Sequence, residues 1–410
     1  MRLLLLTQYF PPEIGAAQTR LDALTRAVHR AGHDVDVVTA MPSYPSDAIL
    51  VGYRHKWFMR QVEPERSVIR TWAYPAMGSG LKRMVSYGIF SVTSLGGLVR
   101  SKRPDVLLIE SPPLPLAVPG LLWARLRRVP VVFNVADLWP DAPAAVGALH
   151  DGFVLRAMYS LERWAYRRSS LVSTVTEGVA DQLLNVKRIP SDKLIMLPNG
   201  VDTERFCPAE STGAGRRLLV DLPAQPFLVY AGTMGMVHGI EPLIDAFRQL
   251  HNEEVDSPTL LMLGAGSERA LLERRANQAH LTNVVFHDPI PPEQLAMVLN
   301  DAVAGIVTLA DIPINQHARP AKMFPIMAAG RPVLFAGAGE GARLLAGAGG
   351  GLVVNNDSGA IAAAVRQLVD DADSARAMGV AGRDYVVKNL SWPALIGDWL
   401  DRVQRLVVGI

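Results

Sequence analysis

The chain has 410 residues, of which 49% are hydrophobic and 20% charged, and its formal net charge is only +2. This length predicts two domains, each large enough to bury its own core. The single cysteine, Cys207, excludes an internal disulfide framework and a cysteine-based metal cluster, and it suits a reducing cytoplasm. Four N-terminal leucines followed by Pro11 and Pro12 are too few for a signal peptide and predict a buried first strand.

Charge is unevenly distributed along the chain. Residues 1–198 contain 24 Lys and Arg against 16 Asp and Glu, whereas the remainder contains 17 against 23. A basic N-terminal half predicts that this half meets an anionic partner. The chain has no basic stripe interleaved with aromatic residues and no nucleic-acid motif, so we do not expect nucleic acid as a partner.

Two apolar segments, residues 84–99 and 112–124, are flanked by basic clusters. Neither reaches the roughly 18–20 uncharged residues that a membrane-spanning helix requires. Such segments are typical either of helices that lie on an anionic membrane surface or of core helices in an α/β domain. The sequence leaves both interpretations open.

Apolar runs alternate with amphipathic stretches through the first half of the chain, which predicts a parallel, doubly wound sheet. The predicted strands are Leu3–Leu6, Asp34–Thr39, Val106–Ile109, Val131–Val135 and Leu171–Thr176. The predicted helices are Ala17–Ala31, Leu114–Leu126 and Gly152–Arg168.

A second alternating series follows a turn-rich segment near residues 197–202. Its predicted strands are Phe227–Ala231, Thr259–Leu263, Val284–Phe286, Gly305–Leu309 and Val333–Phe335. Its predicted helices are Ile240–Gln249, Glu268–Ala279, Gln294–Asn300 and Gly359–Asp371.

The pattern therefore predicts an α/β protein of two Rossmann-like domains, residues 1–198 and 199–390. The final segment, residues 391–410, is predicted to be an amphipathic helix that packs back on the first domain. Its apolar face carries Trp392, Leu395, Trp399 and Val403.

A lysine at the start of a short helix is the most informative feature of the second half. In IPINQHARPAKMFPIMAAGRPVL the helix is predicted to begin around Lys322 and to end at Gly330, where glycine followed by proline is a stop signal. A cation is disfavoured at that end of a helix unless an anion such as phosphate lies between it and the free N–H groups. The alternative is a solvated surface lysine.

The glycine pattern argues against a dinucleotide or P-loop site. No G-x-G-x-x-G follows the first strand, Arg269 stands where a third glycine would follow Gly264 and Gly266, and no Walker lysine is present. Glycine loops at 232–235 and 264–266, together with the Lys322 helix, instead predict one phosphate-bearing ligand beyond the carboxyl ends of the strands.

These segments resemble a known family. AGTMGMVHGIEPLIDAF, LLMLGAGSE, VVFHDPIPPEQL and RPAKMFPIMAAGRPVL look like the donor domain of GT-B glycosyltransferases of family 4. QYFPPEIGAAQTR, AGHDVDVVTAMPSYP, RPDVLLIESPP, VVFNVADLWPD and LPNGVD look like its branch that builds bacterial surface polysaccharides, such as O-antigen, capsule and exopolysaccharide, on lipid-linked acceptors. The resemblance implies two domains facing across a cleft, with a nucleotide-diphosphate sugar on the C-terminal one and the acceptor on the N-terminal one.

The resemblance also implies roles for individual residues. Lys322 would be the main cation for the donor diphosphate, with Arg319 as a helper, and Ile290 would flank the nucleotide base. Many relatives carry arginine at the position of Thr233 and lysine at that of His238, so this loop supplies less positive charge. The other implied donor-binding residues are Gly15, Gly232, Gly235, Gly264, Gly266, Met323 and Phe324.

One departure from the family concerns an acidic pair. Many relatives carry two acidic residues eight positions apart, the second of which binds the ribose diol. Here His317 and Pro325 occupy these positions. A proline in the first helical turn is structurally acceptable, but it cannot accept a hydrogen bond from ribose. The sequence therefore leaves a catalytically degenerate protein open.

Asp137 follows a predicted buried strand and matches a position near the reacting sugar in relatives. Its carboxylate would stabilise positive charge on the anomeric carbon or orient the acceptor hydroxyl. The alternative is a helix N-cap before Trp139 and Pro140. Tyr9, Glu13, Gln18 and Glu177 are the candidate acceptor-binding residues.

The leading hypothesis is a retaining, metal-independent hexosyltransferase with a nucleotide sugar as co-substrate and no cofactor. It would act on a lipid-linked or polysaccharide acceptor in the cytoplasm, at the inner face of the membrane. Two alternatives remain: a degenerate subunit of a polysaccharide assembly complex, and a nucleotide-sugar epimerase. The paired carboxylates Asp34 and Asp36 lie within a strand and are predicted to be structural.

Overall fold

A computed structural model of the chain describes residues 1–13, 15–43, 48–76, 81–145, 152–219, 222–253 and 257–408. The chain divides into two compact units, Met1–Asn199 with Leu395–Ile410, and Gly200–Ala394. The predicted ranges, 1–198 with 391–410 and 199–390, place the division at nearly the same residues. Residues 409–410 of the predicted final segment lie outside the described residues.

The first unit is built on a twisted sheet with helices between its strands. The strands are β1 (Arg2–Leu6), β2 (Asp34–Ala40), β3 (Phe58–Val62), β4 (Ser67–Thr71), β5 (Val106–Ser111), β6 (Val131–Val135), β7 (Leu171–Thr174) and β8 (Leu194–Met196). The helices are α1 (Ala16–Arg30), α2 (Leu81–Arg100), α3 (Ala117–Arg127), α4 (Asp141–Ala145), α5 (Phe153–Arg168) and α6 (Glu177–Asp181).

The strand order within the described part of this sheet is β3-β4-β2-β1-β5-β6-β7-β8. Every neighbouring pair is parallel except β3 and β4, which form an antiparallel hairpin at one edge. The five predicted strands are confirmed to within two residues at their ends. Strand β3 was missed because it alternates partly buried and exposed residues and lacks the apolar run that marks the central strands.

The two apolar segments with basic flanks fold as α2 and as a turn leading into α3. One face of α2 is buried through residues such as Tyr87, Phe90 and Leu98, so it is a core helix on that side. Its opposite face exposes Val92 and Val99 to solvent. Among the described residues, no helix is long and apolar enough to span a bilayer.

The second unit carries six described strands with helices between them. The strands are β9 (Phe227–Ala231), β10 (Thr259–Leu263), β11 (Val284–His287), β12 (Ala304–Thr308), β13 (Val333–Ala336) and β14 (Gly351–Val354). The helices are α7 (Ala214–Arg217), α8 (Glu241–Glu253), α9 (Arg269–Gln278), α10 (Pro292–Asp301), α11 (Met323–Ala328), α12 (Glu340–Ala348), α13 (Ser358–Asp370) and α14 (Ala372–Asn389).

Its sheet is parallel, with the order β11-β10-β9-β12-β13-β14. The predicted strands are again confirmed, whereas β14, α12 and α14 were not predicted. Glycines at 347, 349, 350 and 351 surround the start of β14, and such a run is typical of a loop rather than of a strand.

The last helix, α15 (Trp392–Val408), begins in the second unit and continues into the first. Trp399 and Val403 are buried, as predicted, and the Trp399 indole Nε1 lies 3.3 Å from Ser173 Oγ at the end of β7. Arg402 donates to the carbonyl of Asp192 at 2.6 Å. The helix therefore packs against the first sheet, as its apolar stripe predicts.

Candidate functional site

The loops that follow β9 and β12 lie side by side at the carboxyl edge of the second sheet. β9 and β12 are neighbours, but β9 connects in sequence to β10 on its other side. This reversal of strand order is a topological switch point, where parallel α/β sheets leave a crevice for ligands. The candidate phosphate site predicted from the sequence is therefore centred on the switch point.

Two glycine loops meet at this edge with no room for side chains. A Cβ on Gly264 would lie 2.0 Å from the carbonyl oxygen of Gly232, and one on Gly266 would lie 2.0 Å from that of Met234. The backbone N–H groups of Gly232 and Met234 donate to Leu263 and Ala265 in the adjacent loop, both at 2.9 Å. Contact between the two loops therefore requires glycine at positions 264 and 266, whether or not a ligand binds.

Lys322 lies directly beside the first of these loops. Its Nζ is 2.6 Å from the Tyr230 hydroxyl and 4.2 Å from the centre of the tyrosine ring. A Cβ on Gly232 would lie 3.1 Å from Nζ, so only glycine leaves the ammonium this close to the backbone. Partial burial lowers the pKa of Lys322 to about 7, and no carboxylate pairs with it in the described part of the chain.

Tyr230 links Lys322 to the loop that contains Thr233. This role was not predicted from the sequence. Its side chain is fully buried, and its hydroxyl donates to the Thr233 carbonyl at 2.8 Å while accepting from Lys322. Burial raises the pKa of Tyr230 far above its ordinary value, so the phenol stays protonated. A lone tyrosine inside the run Phe227–Ala231 was the available signal, but it is equally typical of a strand core.

His238 contributes no positive charge at neutral pH. Burial, with a smaller effect of the Lys322 charge, lowers the pKa of its imidazole to about 3. Its Nδ1 is buried and has no hydrogen-bond partner among the described residues. The loop around it is held by Asn315 and Asn356, whose amides donate to the carbonyls of Val237 and Gly239 at 2.8 Å each.

The short helix α11 has fewer free N–H groups for a ligand than the sequence predicts. Lys322 immediately precedes it, and the side chains of Met323 and Phe324 are buried. Their N–H groups already donate to the carbonyls of Pro320 and Ala321, at 3.1 and 3.3 Å. The lysine ammonium is therefore the main group that this segment presents.

The predicted helper Arg319 is in an ion pair. Its Nε lies 2.5 Å from a carboxylate oxygen of Glu340 at the start of α12, and both side chains are largely buried. A neighbouring carboxylate thus compensates its charge. Thr233 is exposed at the rim of the site, and Ile290 is half-buried beyond the end of β11.

Arg269 joins the two loops that lie nearest to Ile290. It donates to the carbonyl of Gly264 at 2.9 Å and pairs with Asp288 at 2.5 Å. From the sequence, Arg269 was notable only because it replaces the third glycine of the G-x-G-x-x-G dinucleotide fingerprint. The structure gives it a role in holding the β10 and β11 loops together.

In the first unit, two of the predicted acceptor residues after β1, Glu13 and Gln18, are hydrogen-bonded to each other. Glu13 is buried and accepts from the N–H of Ser43 at 2.8 Å and from the Gln18 amide at 3.3 Å. A Cβ on Gly15, which precedes α1, would lie 2.4 Å from the Gln18 side chain. Burial, followed by the nearby Tyr87, raises the pKa of Tyr9. Glu13, Gly15 and Gln18 therefore shape the loop itself.

A buried ion pair lies at the carboxyl ends of β5 and β6, close enough to act electrostatically on Asp137. Arg20 pairs with Glu110, and Asn134 donates to the same carboxylate at 2.9 Å. Arg20 Nη1 has no hydrogen-bond partner among the described residues, and the positive charge of Arg20 acts on Asp137. The sequence missed this pair because Arg20 and Glu110 are far apart along the chain.

Asp137 itself has an exposed side chain. The helix that follows begins at Asp141, so the alternative role of Asp137 as its N-cap is not supported. Glu177 is exposed in the first turn of α6, where Thr176 caps the helix by accepting from Val179 N–H at 3.1 Å. Within the described ranges, no group of three or more His, Cys, Asp or Glu side chains is placed to hold a metal ion.

Comparison with known proteins gives the family and the fold of the chain. The model of the Glycosyl transferase 4-like domain matches residues 15–200, and that of the Glycosyl transferases group 1 matches residues 225–371. The chain is 26% identical over 346 residues to a protein described as the colanic acid biosynthesis glycosyl transferase WcaI of Escherichia coli (strain K12), covering 80% of this chain and 82% of that protein.

A second relative spans nearly the whole chain. It is a GDP-mannose-dependent alpha-(1-6)-phosphatidylinositol monomannoside mannosyltransferase of Mycolicibacterium smegmatis, 27% identical, with 95% of each chain covered. Among solved structures, HepE of Anabaena in complex with UDP-glucose is similar with a TM-score of 0.69 at 16% identity, covering 98% of this chain and 99% of that one. At that identity the likeness establishes the fold alone.

Proposed function

Because this chain belongs to the GT-B glycosyltransferases that join a 4-like domain to a group 1 domain, we propose that it is a retaining, metal-independent hexosyltransferase. It moves a sugar from a nucleotide-diphosphate sugar to a lipid-linked or polysaccharide acceptor in bacterial surface polysaccharide synthesis. The observation that carries the donor site is Lys322 Nζ beside Gly232 at the switch point of the second sheet. HepE was solved with UDP-glucose, which supports a nucleotide sugar as co-substrate.

Lys322 has the geometry to assist departure of the diphosphate. Negative charge on the leaving group increases as the glycosidic bond breaks, so a fixed cation beside it stabilises the transition state more than the ground state. The N–H groups and dipoles of the adjacent glycine loop add to this field. In a retaining reaction the departing diphosphate takes the proton of the acceptor hydroxyl, and Asp137 stabilises the positive anomeric carbon.

A catalytically degenerate subunit is the second candidate, and Pro325 favours it. This proline lies in the first turn of α11 and has no group that could accept a hydrogen bond from a ribose hydroxyl. His238 is neutral at pH 7, so the loop lacks the second cation that many relatives have. The epimerase alternative requires a pair of carboxylates placed for attack by water, and no observation on the described residues favours it.

A thermal-shift screen with UDP, GDP, dTDP and their common sugars separates transferase from degenerate subunit. A ligand that binds only the folded state raises the melting temperature by mass action. We expect one nucleotide to stabilise the protein, and we expect the enzyme to move the sugar of the corresponding nucleotide sugar to an acceptor hydroxyl or, by hydrolysis, to water. Absence of any shift and of any hydrolysis would overturn the transferase proposal in favour of the degenerate subunit.

Donor binding should weaken as pH rises, because Lys322 titrates near neutrality. The ammonium that binds a diphosphate is present below the pKa of about 7 and is lost above it. We therefore expect constant affinity below about pH 7 and then a fall of up to about tenfold per pH unit, until the pKa of the complex is passed. Calorimetry with the nucleotide sugar in buffers of different ionisation enthalpy should also detect proton uptake.

The pH range of this dependence distinguishes Lys322 from the other groups nearby. Nucleotide-sugar phosphates do not titrate in this range, and the His238 pKa of about 3 lies below it. Lys322→Arg, which stays charged, should flatten the profile. An unchanged slope in that variant would show that another group titrates.

The proposal also includes the location of the enzyme. It would be cytoplasmic and would contact the inner face of the membrane peripherally. The outward face of α2 exposes Val85, Val92, Leu95 and Val99, and α3, packed beside it, exposes Leu122 and Leu126. Exposed basic residues lie at the C-terminal ends of both helices or just beyond them: Arg100, Lys102, Arg103, Arg125 and Arg127. Apolar residues flanked by cations are what an anionic bilayer surface attracts.

Substituting the exposed valines of α2 tests this contact. Val92→Asp with Val99→Asp should lower binding to phosphatidylglycerol vesicles by about tenfold or more, because two apolar contacts are replaced by charges that the lipid repels. Val380→Asp with Val387→Asp changes two exposed valines of α14 equally and serves as the control. If the α2 and α14 double variants lost vesicle sedimentation equally, the exposed face of α2 would not be a specific membrane contact.

A further inference from the structure

An aromatic and basic cavity lies in the first unit, apart from the residues considered above. It has a volume of about 460 Å³, which is within the usual range for ligand sites. Its walls include Trp57, Trp72 and Tyr74 and the three consecutive residues Arg54, His55 and Lys56. The family resemblance assigns no role to any of them.

The cavity lies at the ligand-binding edge of the first sheet. β2 and β4 are parallel, so both end at the edge where Ala40 and Thr71 pair. Trp72 follows Thr71 directly, and its N–H donates to the carbonyl of Trp57 at 3.1 Å. Beyond the carboxyl ends of parallel strands is where such sheets bind ligands.

The indole of Trp57 forms an exposed wall. It is 73% exposed, although tryptophan is usually largely buried. Its ring centre lies 5.1 Å from that of Trp72 with the planes inclined at 43°, so one indole supports the other. An accessible aromatic face offers a large apolar surface on which the C–H face of a pyranose can pack.

The cations next to it have no carboxylate partner among the described residues. Arg54 Nε donates to the carbonyl of Ile49 at 2.9 Å, and Lys56 Nζ donates to that of Gly52 at 2.7 Å. These contacts position the side chains without neutralising them. Arginine is well suited to recognise a carboxylate, since its guanidinium can donate two parallel hydrogen bonds.

The loop that carries these residues is fixed to the sheet. Gln61 on β3 donates to the Tyr53 hydroxyl at 3.2 Å, and the buried Arg70 lies 5.3 Å from the Tyr53 ring. Arg70 also donates to the Pro11 carbonyl in the loop after β1. The cavity is thus preorganised, which lowers the entropy cost of binding, and is tied to the loop that holds Glu13.

We propose that this cavity binds a carboxylate-bearing sugar of the acceptor glycan, with Trp57 against the sugar ring and Arg54 and Lys56 on its carboxylate. This inference rests on the proposed function, because it names the substrate class of the same acceptor-binding unit. The paired aromatic rings favour a pyranose over a free phosphate. The concave wall and its place at the strand ends favour a saccharide over a lipid surface.

Oligogalacturonate hexamer and its carboxyl-reduced counterpart are the matched probes, measured by calorimetry on the full chain. We expect the acidic oligosaccharide to bind at least about tenfold more tightly, as loss of a charge-assisted hydrogen bond implies. Arg54→Gln with Lys56→Gln should abolish this preference, and Trp57→Ala should weaken binding of both probes. Arg376→Gln with Lys388→Gln, which removes two exposed cations of α14, is the control and should change neither.

Equal binding of the two probes, or no binding of either, would overturn the proposal. So would a Trp57→Ala variant that keeps oligosaccharide binding but loses binding to phosphatidylglycerol vesicles, since the cavity would then be a lipid contact. Thermal shifts by nucleotide sugars are measured in the same proteins. Their absence together with intact oligosaccharide binding would refute the transferase proposal while retaining the glycan site.

Discussion

Lys322→Ala is expected to lower kcat/KM for the nucleotide sugar by about 10²–10³-fold, the usual effect of removing one preorganised group that stabilises charge in a transition state. Its Nζ lies beside Gly232 and has no carboxylate partner in the described part of the chain, whereas the predicted helper Arg319 pairs with Glu340. The effect should appear in kcat as well as in KM, because charge on the departing diphosphate is greatest in the transition state.

This variant should remain folded. The lowered pKa of Lys322 means that the folded state holds the lysine proton less tightly than the unfolded state does. Below the unfolded pKa the ammonium therefore opposes folding on balance, so alanine removes a net unfavourable charge although it also removes the contact with the Tyr230 ring. The Tyr230 hydroxyl keeps its bond to the Thr233 carbonyl. We expect a melting temperature no lower than that of the wild type at neutral pH.

Steady-state kinetics and thermal shift on the same preparations test both expectations. Lys388→Ala removes an exposed lysine from α14 and provides the control. A Lys322→Ala enzyme within about threefold of wild-type kcat/KM would remove the lysine from the mechanism. A stable Lys322→Ala protein that no longer binds nucleotide would assign the lysine to ground-state binding as well.

The alternation of buried strands and helices was predictable because the central strands are short and largely apolar. Leu3–Leu6 and Val131–Val135 are buried along their whole length, and such runs occur where both faces of a sheet are covered. The edge strand Phe58–Val62 escaped prediction because three of its five residues are exposed. The elements that position the strand-end loops were therefore predictable, whereas the edge strand that directly follows the cavity residue Trp57 was not.

Residue types at the candidate site were predictable, but their partners were not. Glycines at 232, 264 and 266 and Lys322 stand out in the sequence because glycine and an N-terminal lysine are locally unusual. Tyr230, in contrast, looks like any strand residue until its hydroxyl is placed between Lys322 and Thr233. Long-range pairing decides such roles, and sequence spacing carries no information about it.

Arg20→Met is expected to destabilise the first unit by about 3–5 kcal/mol, because it leaves the buried Glu110 carboxylate without its cation. Arg20 and Glu110 are 7% and 3% exposed, and only Asn134 would still donate to the carboxylate. Hydrogen exchange of the β5 and β6 amides should report the loss within this unit. Arg376→Met, which breaks a highly exposed pair with Asp373, should change stability by less than about 0.5 kcal/mol.

The double variant Arg20→Met with Glu110→Leu separates stability from function. Replacing a buried ion pair by apolar residues of similar volume is often neutral, so protection of the β5 and β6 amides should return. The Arg20 charge that acts on Asp137 stays absent. A stable double variant with a lowered kcat and an unchanged KM for the nucleotide sugar would identify Arg20 as a positioning residue for Asp137. Full recovery of both stability and kcat would make the pair purely structural.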